Sequence, residues 1–347
     1  MVLKKIILKI LIFHLLFSGV INNFMNVYGI TISDKPINAS VLLYTYKDKY
    51  ISEIKEELEK IENNNKDKIS FNFYDANKSQ ELQNKQLEEV LKNGTDIILL
   101  SMVDIGYDKY LVDKIKEENI PVIFFNREPF SLVNIKSYGK AVFVGNDSEE
   151  AGILQGEIIT ELWKKNKKIF DRNDDNILQY ILIKGEKNNL DAKLRSEYVI
   201  KTINKNGVDN IEIASEFCNW DRDIAKNRVK SLLLQYGNSI EAIICNNDEM
   251  AIGSVIALEE FGYSSKEKVI IVGIDGTEEA INLIKQGKMS GTVVQQPYKM
   301  SDALYKISIN VVEGKQPLEN TGYSFDSSGI GVRIPYTKYI INEQLLK

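Results

Sequence analysis

Histidine is nearly missing from this 347-residue chain, which has only His14. That residue sits in an N-terminal apolar run expected to be removed, so the mature protein is expected to have no imidazole. A Ser-His-Asp triad, a Cys-His pair and a histidine-ligated zinc site are thereby excluded. Cysteine is almost as scarce, with Cys218 and Cys245 alone. Neither lies near the N-terminal segment, which excludes a lipid-modified cysteine there. Both fall at expected strand ends, where buried free thiols are the reading, with a disulfide left open. Charge of one sign is lacking too: the net charge is −5, acids and bases are interspersed, and no basic stripe runs along any segment. Nucleic acid is therefore not an expected partner. Beyond the first thirty residues no apolar run is long enough to span a membrane. Acids that could pair, such as Asp48 with Asp275, come without a nucleophile motif, so no enzyme is expected.

Residues 1–29 read as a signal peptide. Lys4 and Lys5 precede an apolar run from Ile6 to Ile21, interrupted by Lys9 and His14, and Val27-Tyr28-Gly29 offers small residues near a cut. An uncleaved anchor is the alternative, and either way the protein is expected to work outside the cytoplasm. The remaining length accommodates two domains with a core each.

From residue 39, short apolar runs alternate with amphipathic segments of helical period. Strands are expected at 40–44, 69–74, 96–100, 122–125 and 141–144, with helices such as 50–61 and 80–91 between them. After Gly145 the pattern repeats, with strands at 177–183, 211–217, 242–245, 269–272 and 292–294. This alternation means parallel sheets with right-handed crossovers. The expected fold is α/β: two similar lobes, each a parallel sheet flanked by helices, joined by a hinge the chain crosses more than once. Such lobes place a cleft at the carboxyl ends of their strands.

Polar residues cluster just after those strands: Asp48 and Tyr50, Ser101 and Asp104, Asn189, Asp191 and Arg195, Trp220, Asn247, and Asp275. Carboxylates accept from adjacent hydroxyls, guanidinium donates to two oxygens, and rings cover apolar C–H faces, so the set suits a small polyol. Each has a plainer reading. Asp48, Asn247 and Asp275 could be helix N-caps, Asp191 and Arg195 a surface ion pair, and Trp220 core. A second motif is Asp171-Arg-Asn-Asp-Asp175-Asn-Ile-Leu-Gln179. It sets Asp171, Asn173, Asp175, the Ile177 carbonyl and Gln179 at the alternate spacing by which a loop wraps Ca²⁺. Leu182 stands where a twelfth-place carboxylate would be, so the last ligand must come from elsewhere, or the loop is a solvated acidic turn.

Several stretches resemble the periplasmic D-galactose/D-glucose-binding proteins, sugar-binding proteins of ABC importers. They are Val122-Ile-Phe-Phe-Asn-Arg-Glu-Pro129, Lys184-Gly-Glu186 with Asp191-Ala192 and Arg195, Asn246-Asn-Asp-Glu-Met-Ala-Ile-Gly253, and Val272-Gly-Ile-Asp-Gly276. The resemblance runs from about Ser40 to Tyr336. It implies lobe crossings near Ile120, Gln295 and Val332, giving one lobe of residues 30–120 plus 296–331 and a second of 121–295 plus 332–347 with the calcium loop 171–179. It implies a sugar site of Asp48, Tyr50, Ser101, Asn189, Asp191, Arg195, Trp220, Asn247, Asp275 and Gln295. It assigns the missing calcium ligand to Glu241. Ser101, Asn189 and Gln295 depart from the family's usual Asn, His and Asn. The implied function is delivery of a hexose, galactose or glucose, to an ABC permease by a monomer with structural Ca²⁺. Another monosaccharide, or presentation to a chemoreceptor or sensor kinase, is the alternative.

Overall fold

The computed structural model describes residues 35–263 and 268–345. The expected signal peptide lies outside the described residues. Apolar runs such as Ile97-Ile-Leu-Leu100 and Ala242-Ile-Ile-Cys245 are buried along their whole length. Strands of that kind need cover on both faces, which helices of βαβ units supply.

The first sheet contains β1 (Ile37–Leu43), β2 (Ile69–Asp75), β3 (Ile97–Leu100), β4 (Val122–Phe125), β5 (Ala141–Gly145) and β11 (Gly331–Arg333), in the order β11-β5-β4-β3-β1-β2. The second contains β6 (Leu178–Lys184), β7 (Asn210–Phe217), β8 (Ala242–Cys245), β9 (Ile270–Asp275), β10 (Gly291–Val294) and β12 (Thr337–Ile340), in the order β12-β10-β9-β8-β6-β7. Every named pairing is parallel except that of β10 with β12. In each sheet the strand order reverses next to the first strand of its lobe, β1 or β6, and that is where a crevice opens at the carboxyl ends. Apolar clusters cover both faces of each sheet. Among the described residues no helix is long and apolar enough to cross a membrane.

The lobe boundaries need one correction. A first crossing near Ile120 would place β4 and β5 in the second lobe, whereas both belong to the first sheet. Val122 registers against Ile98 of β3, and Ala141 against Val122. These apolar strands find their partners across short βα turns, so the chain leaves the first lobe only after Gly145. It returns between Val294 and Pro297, close to the expected Gln295. There helix Pro297–Val312 packs on helix Lys49–Asn64, and Ser301 Oγ donates to the Ile54 carbonyl at 3.1 Å. The last crossing follows β11 at residues 334–336, so Val332 and Arg333 still belong to the first sheet. Asn146 Nδ2 donates to the Ile334 carbonyl at 2.8 Å and ties two of the three crossings together.

Candidate ligand-binding cleft

The first-lobe wall starts at the turn after β1. Asp48 caps helix Lys49–Asn64, accepting the Ile51 N–H at 3.0 Å, and its second oxygen takes a short hydrogen bond from the Tyr44 hydroxyl. Capping and cleft-lining are thus compatible, because the cap needs only one carboxylate oxygen. Tyr50, in the first turn of that helix, is buried with its hydroxyl 3.5 Å from Asn146 Oδ1. After β4, Asn126 takes a left-handed backbone at φ 64°, and Arg127 lies with its guanidinium 4.4 Å from the Tyr44 ring centroid. Arg127 Nη2 reaches the Val103 carbonyl at 3.0 Å and, across the cleft, Glu186 at 2.7 Å.

The second-lobe wall is built the same way. Asn189 caps helix Leu190–Lys205, which carries Asp191 and Arg195 one turn apart. That helix can lie close to helix Ser148–Lys165 because Gly152 and Gly156 face it. A Cβ on Gly152 would sit 2.8 Å from the Arg195 carbonyl. Asp191 is fixed by the Ser148 hydroxyl at 2.6 Å, and Arg195 donates to the Asn246 carbonyl at 2.8 Å and the Tyr336 hydroxyl at 3.3 Å. The Asp191–Arg195 surface ion pair is not formed; both side chains are turned into the cleft, and Arg195 is buried. Trp220 sits at φ 63°, its ring pressed against Gly185 and 5.8 Å from the Arg195 guanidinium. Asn247 caps helix Asp248–Phe261, and Thr277, not Asp275, caps the next helix. Asp275 instead holds an unusual φ of 141° and receives the Gln295 amide at 2.6 Å. Strain of this kind persists where surrounding structure overrides it, often at functional sites.

These walls enclose a narrow chamber of about 40 Å³. Nine of the ten expected residues line it: Asp48, Tyr50, Asn189, Asp191, Arg195, Trp220, Asn247, Asp275 and Gln295. Ser101 does not. Its side chain is fully buried just after β3, with the hydroxyl left without a partner. Tyr44, Asn126 and Arg127 also line the chamber. Burial opposes the charge of Arg195, but Tyr336, Asp191 and Asp275 outweigh this and hold it protonated. Asp275 is pushed well above the usual carboxylate range by burial and by its neighbour Asp248, against the pull of Arg195. Asp248 is itself raised to about 6 by burial, opposed by hydrogen bonds from Thr292, Thr277 and Gly276. Buried Arg195 Nε and Gln295 Oε1 have no protein partner. The chamber therefore offers donors and acceptors of both charges beside one flat indole, and no nucleophile–base pair.

Residues 39–316 match the periplasmic binding protein domain. The chain belongs to the periplasmic binding protein family. This binding protein is 34% identical over 297 residues to the D-galactose/methyl-galactoside binding periplasmic protein of Haemophilus influenzae, covering 85% of this chain and 87% of that one. It is 27% identical to the ribose import binding protein of the same organism, covering 63% of this chain and 66% of the relative. Among solved structures, the solute binding protein of Bacillus halodurans with bound myo-inositol matches with a TM-score of 0.74 at 22% identity, over 90% of this chain and 97% of that one. That of Actinobacillus succinogenes with bound D-allose matches with 0.74 at 21%, over 90% and 99%. These neighbours share the two-lobed type I fold. The relatives are transport proteins, and this chain is a binding protein rather than an enzyme.

A second polar centre of the binding protein lies away from the chamber. The loop before β6 curls around Asp171, whose two oxygens accept the N–H groups of Asp175 and Asn176 at 3.2 and 3.0 Å. Asp174 and Asn176 take left-handed backbone, φ 60° and 65°, so Asn176 serves where a glycine is commonly needed. Glu241, from the residue before β8, accepts the Arg172 N–H at 2.7 Å and the Gln179 N–H at 3.0 Å. Asn173 and Gln179 turn their amide nitrogens onto Asp175, and Gln179 Oε1 is left buried without a partner. Among the described residues no three acidic side chains are already gathered at metal-binding distance, so the loop is held by its own hydrogen bonds. Its side-chain donors are oxygens from Asp171, Asn173, Asp175, Gln179 and Glu241, a set that fits a hard cation such as Ca²⁺ once the two amides rotate. Both cysteines are buried and free.

Proposed function

We propose that this protein is the extracytoplasmic solute-binding component of an ABC sugar importer, closing its two lobes on one monosaccharide, with D-galactose or D-glucose the preferred ligand. The observation that carries this reading is the convergence of three carboxylates, four amides, two guanidiniums and one indole from both lobes onto one small chamber. A pyranose suits it: its hydroxyls donate to Asp48 and Asp191, its oxygens accept from Arg195 and Asn247, and its C–H face lies on Trp220. A buried charge-assisted hydrogen bond contributes about 1.5–3 kcal/mol, so a few support micromolar binding after ordering costs. Because ligand contacts come from both lobes, binding favours the closed form, the state a permease would distinguish.

The galactose or glucose preference rests on the 34% identical relative and on the retained Asp48, Asp191, Arg195 and Trp220. Loop 171–179 with Glu241 would hold a structural Ca²⁺, supplying charge neutralisation for Asp171, Asp175 and Glu241 rather than chemistry. The protein would act as a monomer outside the cytoplasm. Calorimetric titration against galactose, glucose, ribose, allose and myo-inositol tests the reading. Micromolar or tighter binding of galactose or glucose is expected. Tighter binding of another member moves the ligand, and no binding of any of them overturns the proposal.

A further inference from the structure

One buried acid of the second lobe has no part in lining the ligand site. Asp248 is wholly buried and outside the chamber lining, although the residue before it, Asn247, lines the chamber. A buried carboxylate is costly unless its oxygens are hydrogen-bonded, and these are. Oδ2 accepts the N–H groups of Gly276 and Thr277, both at 2.8 Å, and the Thr277 hydroxyl at 3.3 Å. Oδ1 accepts the Thr292 hydroxyl at 2.7 Å. Gly273 leaves the room for this, since a Cβ there would sit 2.2 Å from Oδ1.

Each segment that meets Asp248 also delivers a chamber residue. Gly276 and Thr277 directly follow Asp275, Thr292 lies on β10 shortly before Gln295, and Asp248 opens the helix that Asn247 caps. The turn so held is a strained one: Asp275 has φ 141° and Gly276 has φ 79°. Gln295 grips the same turn, its N–H donating to the Asp275 carbonyl at 2.8 Å and its side-chain amide to the Asp275 carboxyl at 2.6 Å.

We propose that Asp248 is a positioning residue for ligand binding: its carboxyl pins the turn Asp275-Gly276-Thr277 to the start of helix Asp248–Phe261 and to β10, and so sets the Asp275 carboxyl against Asn247 and Gln295 in the chamber. This rests on the sugar reading of that chamber. An acid in this place has a second consequence, which an amide would lack. Asp275 is faced by Asp248, Arg195 and Asp48, and Asp248 is faced in turn by Asp275, by Glu53 of the first-lobe helix Lys49–Asn64 and by Cys245 at the end of β8. The like charge of Asp248 makes Asp275 keep its proton to a higher pH than burial alone would. Asp248→Asn retains an acceptor for the N–H groups of the turn and removes the charge.

The test is titration calorimetry with galactose, glucose, ribose, allose and myo-inositol from acid to neutral pH, on the wild type, Asp248→Ala, Asp248→Asn and Thr292→Val. Asp248→Ala releases the turn and should weaken the ligand about tenfold or more, the loss of one charge-assisted hydrogen bond to Asp275. Asp248→Asn should bind within about threefold of the wild type when each is at its best pH, with the midpoint of its pH response moved to lower pH. Thr292→Val removes a single partner of Asp248 and keeps the strand; it should weaken the ligand about threefold, and it carries the test if Asp248→Ala fails to fold. Wild-type affinity in Asp248→Ala, or in Thr292→Val where the alanine protein does not fold, overturns the positioning role. An unmoved midpoint in Asp248→Asn overturns it as well, because Asp275 would then not feel Asp248. Both results leave the sugar reading standing, whereas silence of the wild type towards every sugar overturns both.

Discussion

Replacing Gly185 by alanine should damage the ligand site without touching a group that contacts ligand. Gly185 follows β6, and a Cβ built on it would lie 2.2–2.4 Å from Cζ2, Cη2 and Cε2 of the Trp220 ring. Non-bonded carbons settle at roughly 3.5–4.0 Å, so the indole must retreat by roughly 1.3–1.8 Å. The space open to it is the chamber it lines. Gly185 does not hold a left-handed φ, so alanine is acceptable to the backbone and the contact alone is at fault. The lost ring–sugar stacking costs about 0.5–1.5 kcal/mol, and intrusion into a filled site adds about 1–3 kcal/mol. Even the lower bounds together raise Kd about tenfold. Titration calorimetry reads this directly. Trp220 fluorescence reads the ring, with Trp163, buried in the second-lobe core, as a constant background. A Gly185→Ala protein that binds sugar as the wild type does, with an unaltered ligand-induced fluorescence change, would refute the assignment of Trp220 to the ligand face.

Other perturbations probe the remaining parts. Chelation should lower the melting temperature of the wild type but not of Glu241→Gln, since calcium at a hundred times its Kd stabilises by about 2.7 kcal/mol; equal melting with and without chelator in the wild type would remove the metal site. Glu186→Gln strips Arg127 of its partner on the other lobe, worth about 1.5–3 kcal/mol as a charge-assisted bond. It should weaken sugar binding about tenfold and enlarge the unliganded protein in solution scattering; unchanged values in both would show that the pair does not hold the lobes. Asp248, raised by burial to about 6, binds its proton more readily folded than unfolded. Its contribution to stability is therefore present below about pH 4 and lost as pH rises towards 6. In chelator, the stability of the wild type relative to Asp248→Asn should fall across that window, and a pH-independent difference would count against the buried carboxyl.

Much of the fold was legible because apolar runs of four to seven residues alternate with amphipathic segments. All ten expected strands exist, most within a residue or two of their expected bounds. β11 and β12 escaped notice because they are three and four residues long. The two exposed residues of β12, Thr337 and Lys338, carry no apolar signal. Site residues were legible for a topological reason: polar residues just after parallel strands face the crevice. The same rule applied to β4 would have singled out Asn126 and Arg127, and applied to β1 would have added Tyr44. Ser101 fulfils the rule by position but is buried outside the chamber lining. That distinction depends on burial rather than spacing.

Sequence by itself determined the α/β class, the two-lobed repeat and the oxygen-bearing side chains of loop 171–179, since these follow from local periodicity and residue chemistry. Tertiary structure alone decided where the chain changes lobes, because strand pairing is a contest between distant segments that no local pattern records. It alone decided that Arg127 meets Glu186 and that Gly185 makes room for Trp220. Arg127 and Glu186, 59 positions apart, meet only when the two sheets set their carboxyl ends face to face, and Gly185 and Trp220, 35 apart, only when β6 and β7 pair within the second sheet.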